Sequence, residues 1–277
     1  MLKKDCECNH FYPQILRCVM RKLIKRISSL LLVNLLFFVF FKNGEAQVNV
    51  QDSIIKVPLL HIGSSLNYST GDLTSRFSFF AEFGGAMLFK TKKNWLLGPE
   101  IYFQFSDRVK ETEMFDYLIT ENGTALNIGG RNEGIFFYQR GFESAFNFGK
   151  ITNLLAVNPN SGLRFNVACG FWQHRIKFVS ENQGIFLLRD EYLPGYDRLV
   201  SGFIFKQFIG YHYMGESRLV NFTVGLEMSE GFTKGRRNYQ YDTKLPATEN
   251  RVEGYYGIKL NWVLPFYKRS TREFYTY

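Results

Sequence analysis

The chain has 277 residues, and aromatic side chains make up 17% of it. Its mean hydropathy of -0.16 argues against a bundle of transmembrane helices. Such a bundle needs several apolar runs of about 20 residues, whereas the sequence has only one long apolar run. The formal net charge is +9, but residues 1–46 contain eight Lys/Arg and three Asp/Glu and leave the remainder near +4. A nucleic-acid-binding interpretation of the pI of 9.3 therefore loses most of its support.

The long apolar run lies near the N-terminus, at residues 28–41. A basic stretch precedes it and small residues follow it, so the pattern predicts a secretory signal peptide over residues 1–46. Met20 opens a leader of conventional length, and we expect translation to begin there. An uncleaved signal anchor is the alternative. Of the 4 cysteines only Cys169 follows the leader, so no intramolecular disulfide is expected after export.

Residues 47–277 are predicted to form one all-β domain. No linker divides them, and no segment of convincing length has helical periodicity. Instead, apolar and polar residues alternate with a period of two, which suits strands and would scatter apolar groups around a helix. The pattern predicts about eight strands, at residues 59–68, 77–90, 95–105, 138–149, 163–178, 200–213, 219–232 and 251–266.

The connections between the predicted strands differ in length in a regular way. Those after strands two and six are brief, the one after strand four is moderate, and those after strands three, five and seven are long. The connection after strand one is also short. Short periplasmic turns with longer outer loops are typical of outer-membrane barrels. The order predicts an up-and-down antiparallel barrel with both termini on the periplasmic side.

The stretch VNFTVGLEMSEGF, at residues 220–232, raises the question of which strand face is inside. A soluble β-protein would bury Leu226, whereas a membrane barrel would turn Leu226 to lipid and bury Glu227. The predicted strands have roughly 11 to 16 residues, which is long for globular sheets but fits a tilted membrane crossing. We therefore predict a lipid-facing apolar side, with a soluble secreted β-protein as the rival. Aromatics near strand ends fit interfacial girdles: Trp95, Phe105, Tyr211, Tyr213, Trp262, Phe266 and Tyr267.

On this interpretation the polar faces of the strands line the interior. Buried charges are costly unless they are paired, so we predict a salt-bridge and hydrogen-bond network across the barrel, in which Glu227 meets Lys206 or Lys259. Eight strands leave room for side chains but little for an open channel, which disfavours a wide porin. The predicted network consists of Glu82, Glu100, Glu143, Arg164, Lys206, His212, Glu227 and Lys259.

His174 lies near the outer end of the fifth predicted strand, beside Arg175 and Lys177. These three residues are the candidates for contacts with lipopolysaccharide phosphate at the outer rim. His174 is also the best candidate for a catalytic base, whereas His61 and His212 are expected to be luminal. No convincing catalytic constellation is present, so we expect no enzymatic activity, no cofactor and no metal site.

Several short segments resemble a known family. GDLTSRF at 71–77, GYDRL at 195–199, QFIGYHY at 207–213, GFTKGRR at 231–237 and the closing YYGIKLNWVLPFY, together with the GEAQ cleavage region, resemble small outer-membrane β-barrel proteins from Bacteroidota. These are loop and strand signatures rather than catalytic ones. The resemblance implies the fold and the outer-membrane location. Some barrels of similar size in that phylum belong to the type IX secretion and gliding apparatus.

These observations predict an integral outer-membrane β-barrel with a structural or interaction role and no wide pore. The alternatives are an accessory barrel of the type IX secretion or gliding machinery, and a lipid-modifying enzyme of the outer rim. The expected partners are outer-membrane lipids and lipopolysaccharide, the barrel-assembly machinery during biogenesis, and proteins of a secretion complex. Nucleic acid is not expected to bind.

Overall fold

The computed structural model describes residues 53–117, 119–120, 124–181, 184–188, 191–216 and 219–267. The predicted signal peptide, residues 1–46, lies outside the described residues. None of the described helices is long and apolar enough to span a membrane. The eight long strands are β1 (Val57–Gly71), β2 (Phe79–Lys90), β3 (Trp95–Ser106), β6 (Ile135–Ile151), β7 (Gly162–Ser180), β8 (Val200–Met214), β9 (Asn221–Gly235) and β10 (Asn250–Pro265), and the two short ones are β4 (Ala125–Leu126) and β5 (Asn132–Glu133).

The eight long strands form a closed antiparallel barrel in the order β1-β10-β9-β8-β7-β6-β3-β2. Each long strand pairs with its neighbours along the chain, and β1 closes the sheet against β10 with Leu66 opposite Ile258. Closure leaves no unpaired sheet edge among these strands. The short strands β4 and β5 pair with each other within the connection between β3 and β6. The predicted all-β, eight-stranded up-and-down barrel is confirmed.

The two ends of the barrel differ in the length of their connections. The short-turn end carries residues 91–94, 152–161 and 215–220, together with the start of β1 and the end of β10. The long-loop end carries residues 72–78, 107–134, 181–199 and 236–249. These are the ends that the sequence assigns to the periplasm and to the exterior, respectively.

Alternation along the strands separates an apolar outer surface from a polar inner one. In β9, Leu226 exposes 60% of its surface on the outside, whereas the next residue, Glu227, exposes 4%. Phe77 does not face lipid as an apolar residue at the start of the second predicted strand should. That predicted strand begins at 77, but β2 begins at Phe79, and Phe77 is buried among other apolar side chains.

Apolar side chains fill the interior near both ends. The long-loop-end cluster contains Leu73, Phe77, Phe80, Met114, Phe115, Trp172, Ile176, Phe178, Tyr196, Ile204 and Tyr255. Met114 and Phe115 come from the connection between β3 and β6, so that loop folds into the mouth of the barrel. The short-turn-end cluster contains Ile55, Val57, Leu59, Ala86, Leu88, Leu96, Ile151, Met214 and Val263. The polar interior therefore lies between two apolar layers.

Candidate functional site

Lys206 is the centre of the polar interior. Its ammonium group contacts one carboxylate oxygen of Glu143 and lies 3.0 Å from Glu100 and 3.3 Å from Glu227. These four side chains come from β8, β3, β6 and β9, and each of them is buried. Interior charges of this kind are stable only when they are paired, because removing them from water costs several kcal/mol per ion. The arrangement ties four strands together across the lumen.

Lys259 adds a second cation, and we call Lys206, Lys259, Glu100, Glu143 and Glu227 the ionic cluster. The Lys259 ammonium nitrogen donates to Glu227 at 2.7 Å and lies 3.6 Å from the centre of the Tyr102 ring. The Tyr102 hydroxyl in turn donates to Asn261 at 2.9 Å. Glu227 thus lies between Lys206 and Lys259, and a positive charge over a ring face is itself favourable in a dry site.

Glu82 accepts hydrogen bonds from neutral groups rather than from a lysine. The Ser65 hydroxyl donates to one oxygen at 2.8 Å, and the Gln104 amide donates to the other at 2.7 Å. The amide oxygen of Gln104 then accepts from the Trp172 indole at 2.8 Å. The Tyr255 hydroxyl makes a similar link, because it donates to Glu143 at 2.8 Å. The ionic cluster therefore continues into the aromatic side chains of the long-loop-end cluster.

Arg164 and the two luminal histidines lie toward the short-turn end. The Arg164 guanidinium donates to Asn166 at 2.7 Å and approaches His61 at 3.3 Å. The rings of His61 and His212 stack with centroids 6.0 Å apart, and His212 bonds to the Thr223 hydroxyl at 2.8 Å. Arg164 and His212 thus belong to a second polar group beside the ionic cluster.

Three carboxylates, those of Glu82, Glu143 and Glu227, lie within 4.8 Å of one another. A spacing of this kind could hold a cation, but the ammonium group of Lys206 already contacts two of the three. A cavity of about 20 Å³ beside Arg164 has room for about one water molecule. The arrangement therefore suits a structural filling of the lumen rather than a ligand site or a conduit.

His174 does not lie on the outer rim. Its ring is 0% exposed and bonds to Glu253 at 2.8 Å, between the rings of Phe77 and Trp172. The prediction that His174 contacts lipopolysaccharide is therefore wrong, because the alternation of β7 turns this residue inward. The predicted strand ended at 178 and placed His174 close to the rim, but β7 continues to Ser180 and this residue lies inside the barrel. Arg175 and Lys177 are exposed, and their predicted lipid contact stays a prediction.

Ion pairs fasten the connections of the long-loop end to one another. Arg198 donates to Glu111 at 2.7 Å and to Asp242 at 3.0 Å, so it joins three connections. Arg237 contacts Asp197 in a second pairing. The three acidic partners, Glu111, Asp197 and Asp242, are carried by loops, and their spacing in the sequence gives no sign of the pairing.

The ionisation of these loop groups follows from their surroundings. Burial by itself would raise the pKa of Asp242, but the hydrogen bonds and charge of Arg198 outweigh it and hold that pKa below its ordinary value. The hydrogen bond from Arg237 to Asp197 raises the pKa of the Arg237 guanidinium. Burial, followed by the nearby charge of Arg251, lowers the pKa of Arg76. The pairing of Arg198 with Asp242 is therefore charged at neutral pH.

Tyrosines form a second link among the same connections. The hydroxyls of Tyr117 and Tyr196 lie 2.7 Å apart. The ring of Tyr241 lies 5.4 Å from that of Tyr196 and 5.8 Å from that of Tyr239. We call these four residues the tyrosine cluster. It spans the 107–134, 181–199 and 236–249 connections, and sequence reasoning missed it because its members are far apart in the chain.

No family model and no curated protein sequence matches the chain. Among solved structures, the chain is similar to Ail, the attachment invasion locus protein of Yersinia pestis, with a TM-score of 0.40, 8% identity, and coverage of 76% of this chain and 99% of that one. Neisserial surface protein A gives a TM-score of 0.34, 8% identity, and coverage of 76% and 97%. The outer membrane protein OprG of Pseudomonas aeruginosa gives 0.34, 10%, and coverage of 78% and 99%.

The location of the barrel follows from its own two surfaces. Exposed apolar side chains such as Phe83, Phe103, Leu226 and Ile258 cover the outside of the closed sheet, and paired charges lie within. An even number of antiparallel strands, apolar side chains outside and polar ones inside, and connections that are short at one end are the features of outer-membrane barrels. The chain is an eight-stranded transmembrane β-barrel of the cell outer membrane.

Proposed function

We propose that this barrel is an interaction protein: a filled transmembrane support that presents its long-loop end to a protein partner. The observation that carries the proposal is the filled interior. Apolar clusters close both ends of the lumen, and the ion pairs of Lys206 occupy its middle. Because the described residues fill the lumen and leave no route for solutes, we assign the function to the two ends of the barrel.

The long-loop end has the composition of a binding surface. Tyr117 exposes 62% of its surface and Ile128 65%, and Tyr239 and Leu245 are also exposed. Tyrosine is enriched at protein interfaces because it combines a large contact area with hydrogen bonding and loses little conformational entropy, and arginine is enriched there as well. The contacts within the tyrosine cluster hold Tyr117 and Tyr239 in place before binding, which reduces the entropy cost of association.

Site-specific photocrosslinking in cells tests the proposal. A photoreactive phenylalanine analogue is placed at Tyr117 and at Tyr239, and in a matched control at Tyr256, which faces outward from the middle of β10. We expect Tyr117 and Tyr239 to give a discrete crosslinked protein band and Tyr256 to give none. Absence of a protein band at both loop positions would contradict the proposed role.

Planar-bilayer recording tests the filled interior separately. The purified barrel should produce no steady conductance, because the apolar clusters exclude water from both ends of the lumen. Replacing Met114 and Phe115 together by serine should loosen one cluster but leave the other intact, and we expect the membrane to stay closed. A stable open channel in the unmodified protein would contradict the proposal and favour a transport role.

An accessory role in a type IX secretion or gliding complex is a more specific form of the same proposal. Its support is the resemblance of the loop and strand segments to Bacteroidota barrels. In that case the crosslinked partner would be a component of that complex. The rim-enzyme alternative loses its best candidate base, because the ring of His174 is enclosed with Glu253 inside the barrel.

A further inference from the structure

Four lysines lie along one sector of the short-turn end. Lys56 precedes β1, Lys92 and Lys93 form the turn between β2 and β3, and Lys150 lies near the end of β6; all four are exposed. The strands β1, β2, β3 and β6 are consecutive neighbours in the closed sheet. The four ammonium groups therefore lie along one continuous arc of the rim.

Two of these lysines lie against outward-facing aromatic rings. The Lys56 nitrogen is 5.2 Å from the centre of the Phe89 ring, and the Lys150 nitrogen is 5.1 Å from the centre of the Trp95 ring. Trp95 in turn packs on Phe148 at 4.8 Å. Aromatic rings at strand ends mark the boundary between acyl chains and headgroups. The two ammonium groups consequently lie at the depth of the lipid phosphates.

The turn that follows Lys150 is apolar and exposed. Leu154, Leu155 and Val157 are uncovered, with Leu155 exposing 74% of its surface. The Tyr211 hydroxyl donates to the carbonyl of Leu155 at 3.1 Å and fixes this turn beside the outer surface of β8. These three aliphatic side chains lie next to the lipid-facing surface of the barrel and are suited to the part of the leaflet close to the headgroups.

Acidic side chains are almost missing from this end. Within the described segments 53–58, 91–94, 152–161, 215–216, 219–220 and 266–267, Glu216 is the acidic residue. It belongs to the turn between β8 and β9, across the barrel from the turn between β2 and β3. The lysine arc therefore has no described acidic neighbour on the rim, and its charge is available to an external anion.

We infer that this arc binds the phosphate groups of anionic phospholipids in the leaflet at the short-turn end. The lysines Lys56, Lys92, Lys93 and Lys150 supply the positive charge, and the 152–157 turn enters the same leaflet. The attraction is electrostatic and local, because a basic side chain at the surface of an anionic leaflet is favoured about fivefold, and salt screens it. The inference rests on the membrane location and adds lipid selectivity to it.

Electron spin resonance with spin-labelled lipids measures this selectivity. The full barrel is reconstituted in phosphatidylcholine bilayers, with spin-labelled phosphatidylglycerol or spin-labelled phosphatidylcholine as the probe. A motionally restricted component for either probe establishes insertion by itself. We expect the wild type to restrict the anionic probe more strongly, and we expect Lys56→Gln, Lys92→Gln, Lys93→Gln and Lys150→Gln together to bring the ratio of the two probes close to one.

Two matched variants separate the arc from net charge and from folding. Four exposed cations of the long-loop end, changed together as Arg108→Gln, Arg131→Gln, Lys234→Gln and Lys244→Gln, should leave the ratio unchanged. Replacing the four arc lysines by arginine should also preserve it. Equal ratios in the wild type and the four-glutamine arc variant, or an equal loss in the long-loop-end variant, would overturn the inference while leaving membrane insertion and partner binding intact.

Discussion

The outer and inner surfaces of the barrel are made by alternate residues of the same strands, and β9 shows the contrast most directly. Leu226 is open to the surroundings, whereas its chain neighbour Glu227 is enclosed between Lys206 and Lys259. In a soluble protein the apolar residue would be inside. The difference teaches that alternation defines two faces, whereas the solvent on each side decides which residue type each face can hold.

The inner surface itself is not uniform. Its middle is ionic, but its ends are apolar, with Leu59 and Leu88 at one end and Trp172 at the other. Apolar ends keep water out, so the charges between them interact at a lower effective dielectric and depend on each other more strongly than surface charges do. Substitutions on the two surfaces should therefore have effects of different size.

The largest effect is expected inside. Lys206→Met removes the cation that contacts Glu100, Glu143 and Glu227, and of these three carboxylates only that of Glu227 keeps an ion pair, with Lys259. Loss of one member of a buried ion pair costs about 3–5 kcal/mol of unfolding free energy. A urea titration measures this free energy of unfolding, with the folded fraction read from the difference in gel mobility between unheated and heated samples. Lys234→Met, at an exposed position, is the control, and an equal change in the two variants would contradict the ionic cluster.

A smaller effect is expected outside, and it should depend on depth. Leu226→Arg places a charge on the lipid-facing side near the middle of β9 and should cost about 2–4 kcal/mol. Phe232→Arg makes the same kind of change near the long-loop end, where the cost falls to about 0–1 kcal/mol. The same unfolding assay in lipid vesicles compares them. Equal costs at the two depths would argue against a membrane around this surface.

The smallest effect on the barrel is expected from the loops. Arg198→Gln breaks the contacts with Glu111 and Asp242, and hydrogen bonds to charged groups contribute about 1.5–3 kcal/mol each to the structure that they hold. We expect faster proteolysis within 107–134 and 236–249, with the strand region unchanged. Lys244→Gln, an exposed change in the same connection as Asp242, should leave the cleavage rate as it is.

The contact between Arg198 and Asp242 makes the stability of the loops depend on pH. Because the pKa of Asp242 is lower in the folded loops than in an unfolded chain, its pairing with Arg198 contributes fully above the ordinary aspartate pKa of about 4. The contribution is lost as the pH falls through the lowered pKa. The protection factors of the 236–249 amides, which are exchange rates corrected for the intrinsic effect of pH, should therefore fall on acidification below that range. Arg198→Gln should abolish this dependence on acid. If the variant kept it, the assignment to the Arg198–Asp242 pair would be contradicted.

Much of the fold could be predicted because strand periodicity is a local property. All eight long strands were expected, and most bounds differ by a few residues at the strand ends. The polar lining was visible for the same reason. The apolar inner layers were missed, although pairs such as Leu96 and Leu97 in β3 break the alternation near the short turns. Two consecutive apolar residues near a strand end indicate that the inner face is apolar there as well as the outer one.

The arrangement at the long-loop end could not be predicted in the same way. Tyr117, Tyr196 and Tyr241 meet across three connections, and Arg198 finds Glu111 at a distance of many residues in the sequence. Loop pairing depends on how the strands bring the loops together, which no local pattern encodes. His174 failed for a related reason, because Phe77 and Glu253, which help to enclose its ring, come from distant parts of the chain.

The most direct measurement of the central claim uses Cys169, which is exposed between Phe146 and Phe205 on the outside of β7. A fluorophore is attached there, with Cys6, Cys8 and Cys18 replaced by serine so that the label is unique. After reconstitution, a lipid carrying a bromine or nitroxide on its acyl chain should quench the fluorescence strongly, and iodide in the aqueous phase should quench it weakly. Strong quenching by iodide with weak quenching by the lipid would contradict a membrane-embedded outer surface.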